Sequence, residues 1–201
     1  VHETCYSTMP KGPADPGHVL LVPVAHSNQG TWTMGDKGGN EILELKDKIR
    51  EHASKVYDKD MFIFERAIDT RGGYHTHVQC IPIPRGVAPD LQKVMLAHAN
   101  ASGFDLRPIQ SDLGLTTLLS EDDRYFYAEV ATDLQVNRFL YKLAENDDAQ
   151  TTTDGKRRPR VPLQFGREVV ASVLKKPELA HWKSCVVDKE QEAEMAATLR
   201  E

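Results

Sequence analysis

The stretch RGGYHTHVQCIPIP, residues 71–84, constrains the fold more than any other part of the chain. After a glycine pair the side chains alternate with a period of two, which predicts a β-strand rather than a helix. His75, His77 and Gln79 are expected on one face, with same-face neighbours about 6.6–6.8 Å apart. Two imidazoles at that spacing can contact one phosphodiester, and exposed glycine amides favour an anion. The alternative is two solvent-facing histidines on a sheet edge with no ligand.

Two further segments carry a resemblance to known families. PADPGHVLLVPVAH at residues 13–26, together with HTHVQ at residues 75–79, resembles the histidine-triad (HIT) superfamily. In that superfamily a Gly-His, an apolar strand and a second histidine precede a histidine-rich strand that binds nucleotide phosphate. VPLQFGREVV at residues 161–170 is similar to the signature of the second module in the CwfJ C-terminal domain family. The two parts occur in the family's order and cover nearly the whole chain.

The resemblance implies an α+β fold in two parts. Residues 1–103 are expected to form a HIT-like antiparallel sheet with packed helices, corresponding to CwfJ C-terminal domain 1. Residues 104–201 are expected to form a second, smaller α+β module, corresponding to CwfJ C-terminal domain 2.

The resemblance also implies roles for individual residues. His75 is the expected nucleophile, His77 and Gln79 hold phosphate oxygens, and His18 orients His75. The other expected phosphate-binding residues are Thr70, Arg71, Gly72 and Gly73. The triad positions fall on Gly73, His75 and His77, so the first triad histidine is replaced by glycine. The resemblance therefore implies phosphate binding more than catalysis, and no metal or cofactor is expected.

The charge balance limits how the chain can contact nucleic acid. With 25 basic and 30 acidic residues, the net charge is −5, which argues against coating nucleic acid by bulk charge. Any RNA contact must then be local. The densest basic cluster, and the expected RNA-binding segment, consists of Lys156, Arg157, Arg158 and Arg160. A charge run of this kind is equally typical of a solvated face.

The cysteines and the remaining periodicity complete the prediction. The three cysteines are widely separated, so neither a disulfide framework nor a cysteine zinc site is visible.

The predicted helices are 41–57 with Asn40 as N-cap, 90–102, 134–144, 164–175 and 188–201. The predicted strands, besides the histidine strand, are 19–24, 61–69 and 124–130.

The resemblance finally implies a function and its partners. CwfJ-domain proteins are associated with pre-mRNA splicing and intron lariat turnover, so a nuclear RNA-processing factor is expected. Its expected partners are branched intron RNA, spliceosomal proteins and the lariat debranching enzyme, with no membrane partner. One alternative is an active HIT-type nucleotide hydrolase or transferase that forms a nucleotidyl-histidine. Another is a protein-binding scaffold with a relic pocket.

Overall fold

The computed structural model describes residues 2–26, 29–68, 75–110, 113–143, 149–151, 157–159 and 161–199. Within these ranges, seven strands form one sheet in the order β1-β2-β4-β3-β6-β7-β5, and every pairing is antiparallel. The strands are β1 (Cys5–Thr8), β2 (Val19–Pro23), β3 (Lys59–Ala67), β4 (Val78–Pro84), β5 (Arg107–Ile109), β6 (Tyr125–Ala131) and β7 (Val136–Lys142). A separate hairpin pairs β8 (Ala149–Thr151) with β9 (Arg157–Pro159).

Helices cover both faces of the sheet, which confirms the predicted α+β class. The α-helices are α1 (Gly35–Tyr57), α2 (Ala88–Ala101), α3 (Leu115–Leu118), α4 (Phe165–Leu174) and α5 (Lys189–Thr198). Short 3-10 helices occur at Thr31–Met34, Pro177–Ala180 and Trp182–Cys185. None of the helices in the described ranges is long and apolar enough to cross a membrane.

The central strands β3 and β4 contribute side chains to a hydrophobic core on each face of the sheet. In β4, Ile81 packs in the core with α2 and α4, whereas Cys80 packs in the core beneath α1. In β3, Phe62 and Ile63 divide between the same two cores. Because side chains on a strand alternate in direction, one strand can support a helix layer on each face.

Two sequence predictions about element type or boundary are wrong. Residues 134–144 were predicted to be helical, but β7 occupies most of this range and pairs with β6 from Val136 to Lys142. Its apolar positions fit either period, and pairing with a fully buried neighbouring strand decides the outcome. The predicted N-cap at Asn40 is also wrong, because α1 begins at Gly35, directly after the preceding 3-10 turn.

The sheet is continuous across the predicted domain boundary at residue 103. Strand β3 from the first segment pairs with β6 from the second, in a register that runs from Met61↔Ala131 to Ala67↔Tyr125. One hydrophobic core includes residues from α2 and from α4. The division into residues 1–103 and 104–201 stays a prediction, and the two segments share both sheet and core.

A compensated charge cluster lies between α1 and the sheet. Lys46 and Glu129 are both buried, and Lys46 Nζ lies 2.7 Å from Glu129 Oε1. The Tyr127 hydroxyl donates to the same oxygen at 2.9 Å. Burial is the largest single influence and opposes ionisation of Glu129, but the charge and hydrogen bond of Lys46, the Tyr127 hydrogen bond and the Arg50 charge together outweigh it, so the pKa of Glu129 lies below its usual value. Every buried charge in this cluster therefore has an opposite charge beside it.

Candidate functional site

His77 lies immediately before β4, and its ring is fixed by the chain itself. Its Nδ1 atom is 3.0 Å from the carbonyl oxygen of His75. A carbonyl oxygen can only accept a hydrogen bond, so Nδ1 carries the proton and Nε2 keeps its lone pair. Burial, followed by the nearby charge of His75, lowers the pKa of His77 below its usual value, although the bond to the His75 carbonyl opposes this. His77 is thus held as a neutral imidazole with a basic Nε2.

A cavity of about 40 Å³ opens beside His77 and Gln79. Arg66 from β3 completes its polar side, and its guanidinium is held by the carbonyls of Ile68 at 2.7 Å and Val161 at 3.2 Å. The apolar wall consists of Phe64, Phe126, Pro162, Leu163, Phe165 and Gly166. The described lining therefore contains a cation, an imidazole and an amide but no carboxylate, a composition that favours an anion.

The VPLQFGREVV segment closes this cavity, which the sequence did not predict. Gly166 is the residue that allows the closure, because a Cβ there would lie 2.4 Å from Cζ of Phe64. Phe165, one residue earlier, is buried against Phe126 with ring centroids 5.0 Å apart. The sequence signal was a glycine between a large apolar residue and a charged one, since such a glycine often marks a close approach. The element it approaches could not be inferred.

His18 is completely buried and is near enough to His77 and Gln79 for both to affect its pKa. Its Nδ1 accepts a hydrogen bond from the backbone N–H of Ala14 at 3.1 Å, so its own proton is on Nε2. No described residue meets Nε2 in regular hydrogen-bond geometry, but the Gln79 side chain is close enough to interact with it. Burial first, then the charges of Arg167 and His77, lower the pKa of His18 well below its usual value, while the interaction with the Gln79 amide opposes this. His18 is therefore a neutral ring whose Nε2–H has the Gln79 side chain as its neighbour.

His75 is directed to a different place from His77. Its Nδ1 lies 3.1 Å from Nδ1 of His26, and the two rings meet edge to face with centroids 4.6 Å apart. The described cavity lining includes His77 and Gln79 but not His75. The strand begins only at Val78, so strand alternation does not extend to His75. In this arrangement His75 contacts His26, and the expectation that both imidazoles face one phosphodiester stays a prediction.

Several predicted site residues belong to segments outside the described ranges. Thr70, Arg71, Gly72 and Gly73, predicted to bind phosphate, lie outside the described residues. The same holds for Lys156 and Arg160 of the predicted RNA-binding cluster. Arg157 and Arg158 belong to β9, but their side chains are outside the description. Of the predicted residues, the structure therefore brings together His77, Gln79 and His18.

The residues present offer no evident metal centre. Within the described ranges, no group of three or more His, Cys, Asp or Glu side chains could hold a metal ion. His26 and His75 form only a pair. The chemistry available in the cavity is that of imidazole, amide and guanidinium groups.

The fold and site together define an α+β protein in which an antiparallel sheet presents histidine and glutamine to a small, cation-lined cavity. Residues 1–95 match the family described as "Protein similar to CwfJ C-terminal". Residues 1–95 of the chain therefore belong to this CwfJ family.

Curated relatives extend the similarity to nearly the whole chain. CWF19-like protein 1 homolog of Caenorhabditis elegans is 30% identical over 198 residues, covering 98% of this chain and 33% of that protein. Human CWF19-like protein 1 is 26% identical over 200 residues, covering 98% and 33%. Zinc finger CCCH domain-containing protein 59 of Oryza sativa subsp. japonica is 29% identical over 202 residues, covering 97% and 30%. The chain thus spans about a third of the length of the curated relatives it matches.

Proposed function

We propose that this chain is part of a nuclear RNA-processing factor of pre-mRNA splicing and intron lariat turnover, in which the cavity binds an RNA phosphate. Similarity to CWF19-like proteins over nearly the whole chain supports the splicing role. Branched intron RNA, spliceosomal proteins and the lariat debranching enzyme are the proposed partners. The basic segment at residues 156–160 is proposed to extend the RNA contact beyond the cavity.

The observation that carries phosphate binding is the composition of the cavity. Arg66, His77 and Gln79 form its polar wall, and guanidinium and amide N–H groups are suitable donors to phosphate oxygens. A phosphodiester entering the cavity would also favour protonation of His77, since an adjacent negative charge stabilises the imidazolium. Protonated Nε2 would then become a third donor.

A second candidate function is nucleotidyl transfer, and the orientation of His77 favours it. The lone pair on Nε2 can attack phosphorus, forming an N–P bond while the P–O bond to the leaving group breaks. The leaving oxygen departs with that electron pair, and the Nδ1–H bond to the His75 carbonyl stabilises the positive charge on the ring. Attack by water on phosphorus then breaks the N–P bond and returns the neutral imidazole, and the proton lost by the water balances the one taken up by the leaving oxygen. In this reaction His77 replaces His75 as the proposed nucleophile.

The pH dependence of phosphodiester affinity and of adduct formation distinguishes phosphate binding from nucleotidyl transfer. Because the pKa of His77 lies below its usual value, a pure binder would take up a proton as it captures the phosphodiester. Its affinity would rise as pH falls toward that pKa. A nucleophile must be neutral, so formation of a covalent adduct would instead fall over the same range. A phosphodiester probe is suitable because it does not itself titrate there.

The test combines RNA titration with adduct trapping. Wild-type protein is titrated with a branched RNA, and in parallel incubated with labelled nucleotide and quenched in base, where a nucleotidyl-histidine survives. The binding function predicts salt-dependent affinity that His77→Ala weakens more than the control His75→Ala. Charge reversal of Arg157 and Arg158 should weaken binding further. A labelled adduct that His77→Ala abolishes would establish the enzyme. Neither RNA binding nor an adduct would contradict both functions and leave a protein scaffold.

A further inference from the structure

Arg167 is a buried cation with an unusual set of partners. It lies in the first turn of α4 and is 3% exposed. Its Nε donates to the Leu179 carbonyl at 3.0 Å, and Nη1 donates to the Gly12 carbonyl at 3.0 Å. Nη2 lies 3.3 Å from Sγ of Cys185. Within the described part of the chain, no carboxylate forms an ion pair with it. A buried charge without a counter-charge is costly.

The bond to Gly12 connects Arg167 with His18. Gly12 lies two residues before Ala14, whose backbone N–H donates to His18 Nδ1 at 3.1 Å. Gly12 is also packed closely against Trp182, because a Cβ at Gly12 would lie 1.9 Å from the Trp182 carbonyl oxygen. Arg167 therefore holds, through Gly12, the segment whose Ala14 N–H determines which nitrogen of His18 carries the proton.

The charge of Arg167 also acts on His18 directly. It is the second-largest cause, after burial, of the lowered pKa of His18. The groups acting on this ring are Arg167 from α4, and His77 and Gln79 next to and within β4. All three are neutral or positive, so protonation of His18 is opposed by its charged surroundings. His77 and Gln79 are also the residues that line the cavity.

We propose that Arg167 is a positioning residue for the phosphate site, which holds His18 neutral with its proton on Nε2 and supplies a fixed positive charge behind the cavity. This proposal rests on the phosphate site proposed above. An RNA phosphodiester bound beside His77 and Gln79 would be the negative charge that the described residues around Arg167 do not provide. Lysine cannot replace it, since one ammonium group does not reproduce the planar fork of donors.

The test measures the titration and tautomer of the His18 ring separately from ligand binding. The 201-residue chain, labelled with ¹⁵N-histidine, is titrated by NMR as wild type, Arg167→Gln and the control Lys176→Gln. Lys176→Gln removes one exposed positive charge close to the C-terminal end of α4 without touching the Gly12 contact. Affinity for the dinucleotide ApA is measured on the same samples. If wild type binds no ApA, the phosphate site fails, whereas the ring titration still tests the control of His18 by Arg167.

The expected result is specific to Arg167. In Arg167→Gln, His18 should titrate at higher pH than in wild type and lose its single Nε2–H tautomer. ApA affinity should fall about tenfold or more, as expected for removal of an unscreened charge. Lys176→Gln should leave His18 unchanged. A folded Arg167→Gln protein with unchanged His18 titration and tautomer would overturn the proposal, as would an equal effect of Lys176→Gln.

A second variant keeps the proposal testable if Arg167→Gln does not fold. Arg167→Lys retains the charge but cannot hold Gly12, Leu179 and Cys185 at once. His18 should then remain uncharged while its ring shows a mixture of both tautomers. A single Nε2–H tautomer in Arg167→Lys would contradict the positioning role.

Discussion

The two faces of the sheet differ in how they accommodate buried charge. Beneath α1, Glu129 is paired with Lys46 and receives a hydrogen bond from Tyr127. On the α4 side, Arg167 is bound to neutral oxygen and sulfur atoms of the described residues. A buried ion pair has no net charge, whereas a buried cation without a counter-charge favours binding of an anion nearby. The difference supports the proposal that the phosphate site lies on the α4 face.

The largest expected effect is a loss of stability when the buried ion pair between Lys46 and Glu129 is broken. Lys46→Met leaves the Glu129 carboxylate buried without its main counter-charge, which is expected to lower the free energy of unfolding by about 3–5 kcal/mol. Urea denaturation measures this loss. The matched control is Lys48→Met on the same helix, since Lys48 forms only an exposed ion pair with Glu44. That control should change the stability by less than about 0.5 kcal/mol. Equal losses would mean that the buried pair is not structural.

A smaller loss of stability, accompanied by loss of ligand affinity, is expected at the wall of the cavity. In Gly166→Ala the new Cβ would lie 2.4 Å from the Phe64 ring, so the ring must move into the cavity. Overpacking of this kind costs about 1–3 kcal/mol. Denaturation and ApA titration together measure the effect.

Gly39→Ala provides the matched control for Gly166→Ala. An added Cβ at Gly39 meets nothing within 4 Å, and alanine is favoured over glycine inside a helix by up to about 1 kcal/mol. This variant should be slightly more stable and bind ApA as wild type does. If Gly166→Ala also bound ApA normally, the α4 segment would not form part of the site.

The smallest expected effect is a local loss of hydrogen-exchange protection at the edge of the sheet, where the Glu41 carboxylate binds the residue before β1. Glu41 accepts hydrogen bonds from the backbone N–H and the hydroxyl of Thr4, at 2.8 and 2.6 Å. The hydroxyl bond and then the backbone bond lower the pKa of Glu41 to about 2. Because this pKa is depressed by folding, the contribution of Glu41 to stability is present above its ordinary pKa of 4.5 and is lost as pH falls toward 2.

Hydrogen exchange of the Thr4 amide measures this local effect. Protection should decrease as pH falls from about 4.5 toward 2, after correction for the intrinsic exchange rate. In Glu41→Gln the protection should not depend on pH in this range. Constant protection in wild type would show that the Glu41 carboxylate does not hold β1.

Local periodicity predicted one pair of cavity-lining residues, of which one lies in β4 and the other directly before it. His77 and Gln79 are two residues apart and both line the cavity, as alternation predicts. His75 lies three residues before β4 and contacts His26 instead of lining the cavity. The helix predicted for residues 134–144 failed because its apolar spacing also fits a strand, and only the pairing with β6 distinguishes them.

Contacts between distant segments explain what the sequence could not predict. Arg66 binds the carbonyl of Val161, 95 residues away, and Arg167 binds that of Gly12, 155 residues away. Neither separation leaves a local pattern in the sequence. The spacing of apolar residues predicted an amphipathic helix at residues 164–175. It did not predict that the first turn of this helix would close a cavity beside strands from the other half of the chain.

The most direct test of the site is the protonation state of His77 in the presence of ligand. Long-range ¹H–¹⁵N NMR of the histidine rings, recorded near pH 7 without and with ApA, reports the proton at each nitrogen. We predict that free His77 carries its proton on Nδ1, and that ApA shifts its Nε2 resonance far more than either nitrogen of His75. A proton on Nε2 of free His77, or a ligand response confined to His75, would contradict the assignment of His77 as the phosphate-facing imidazole.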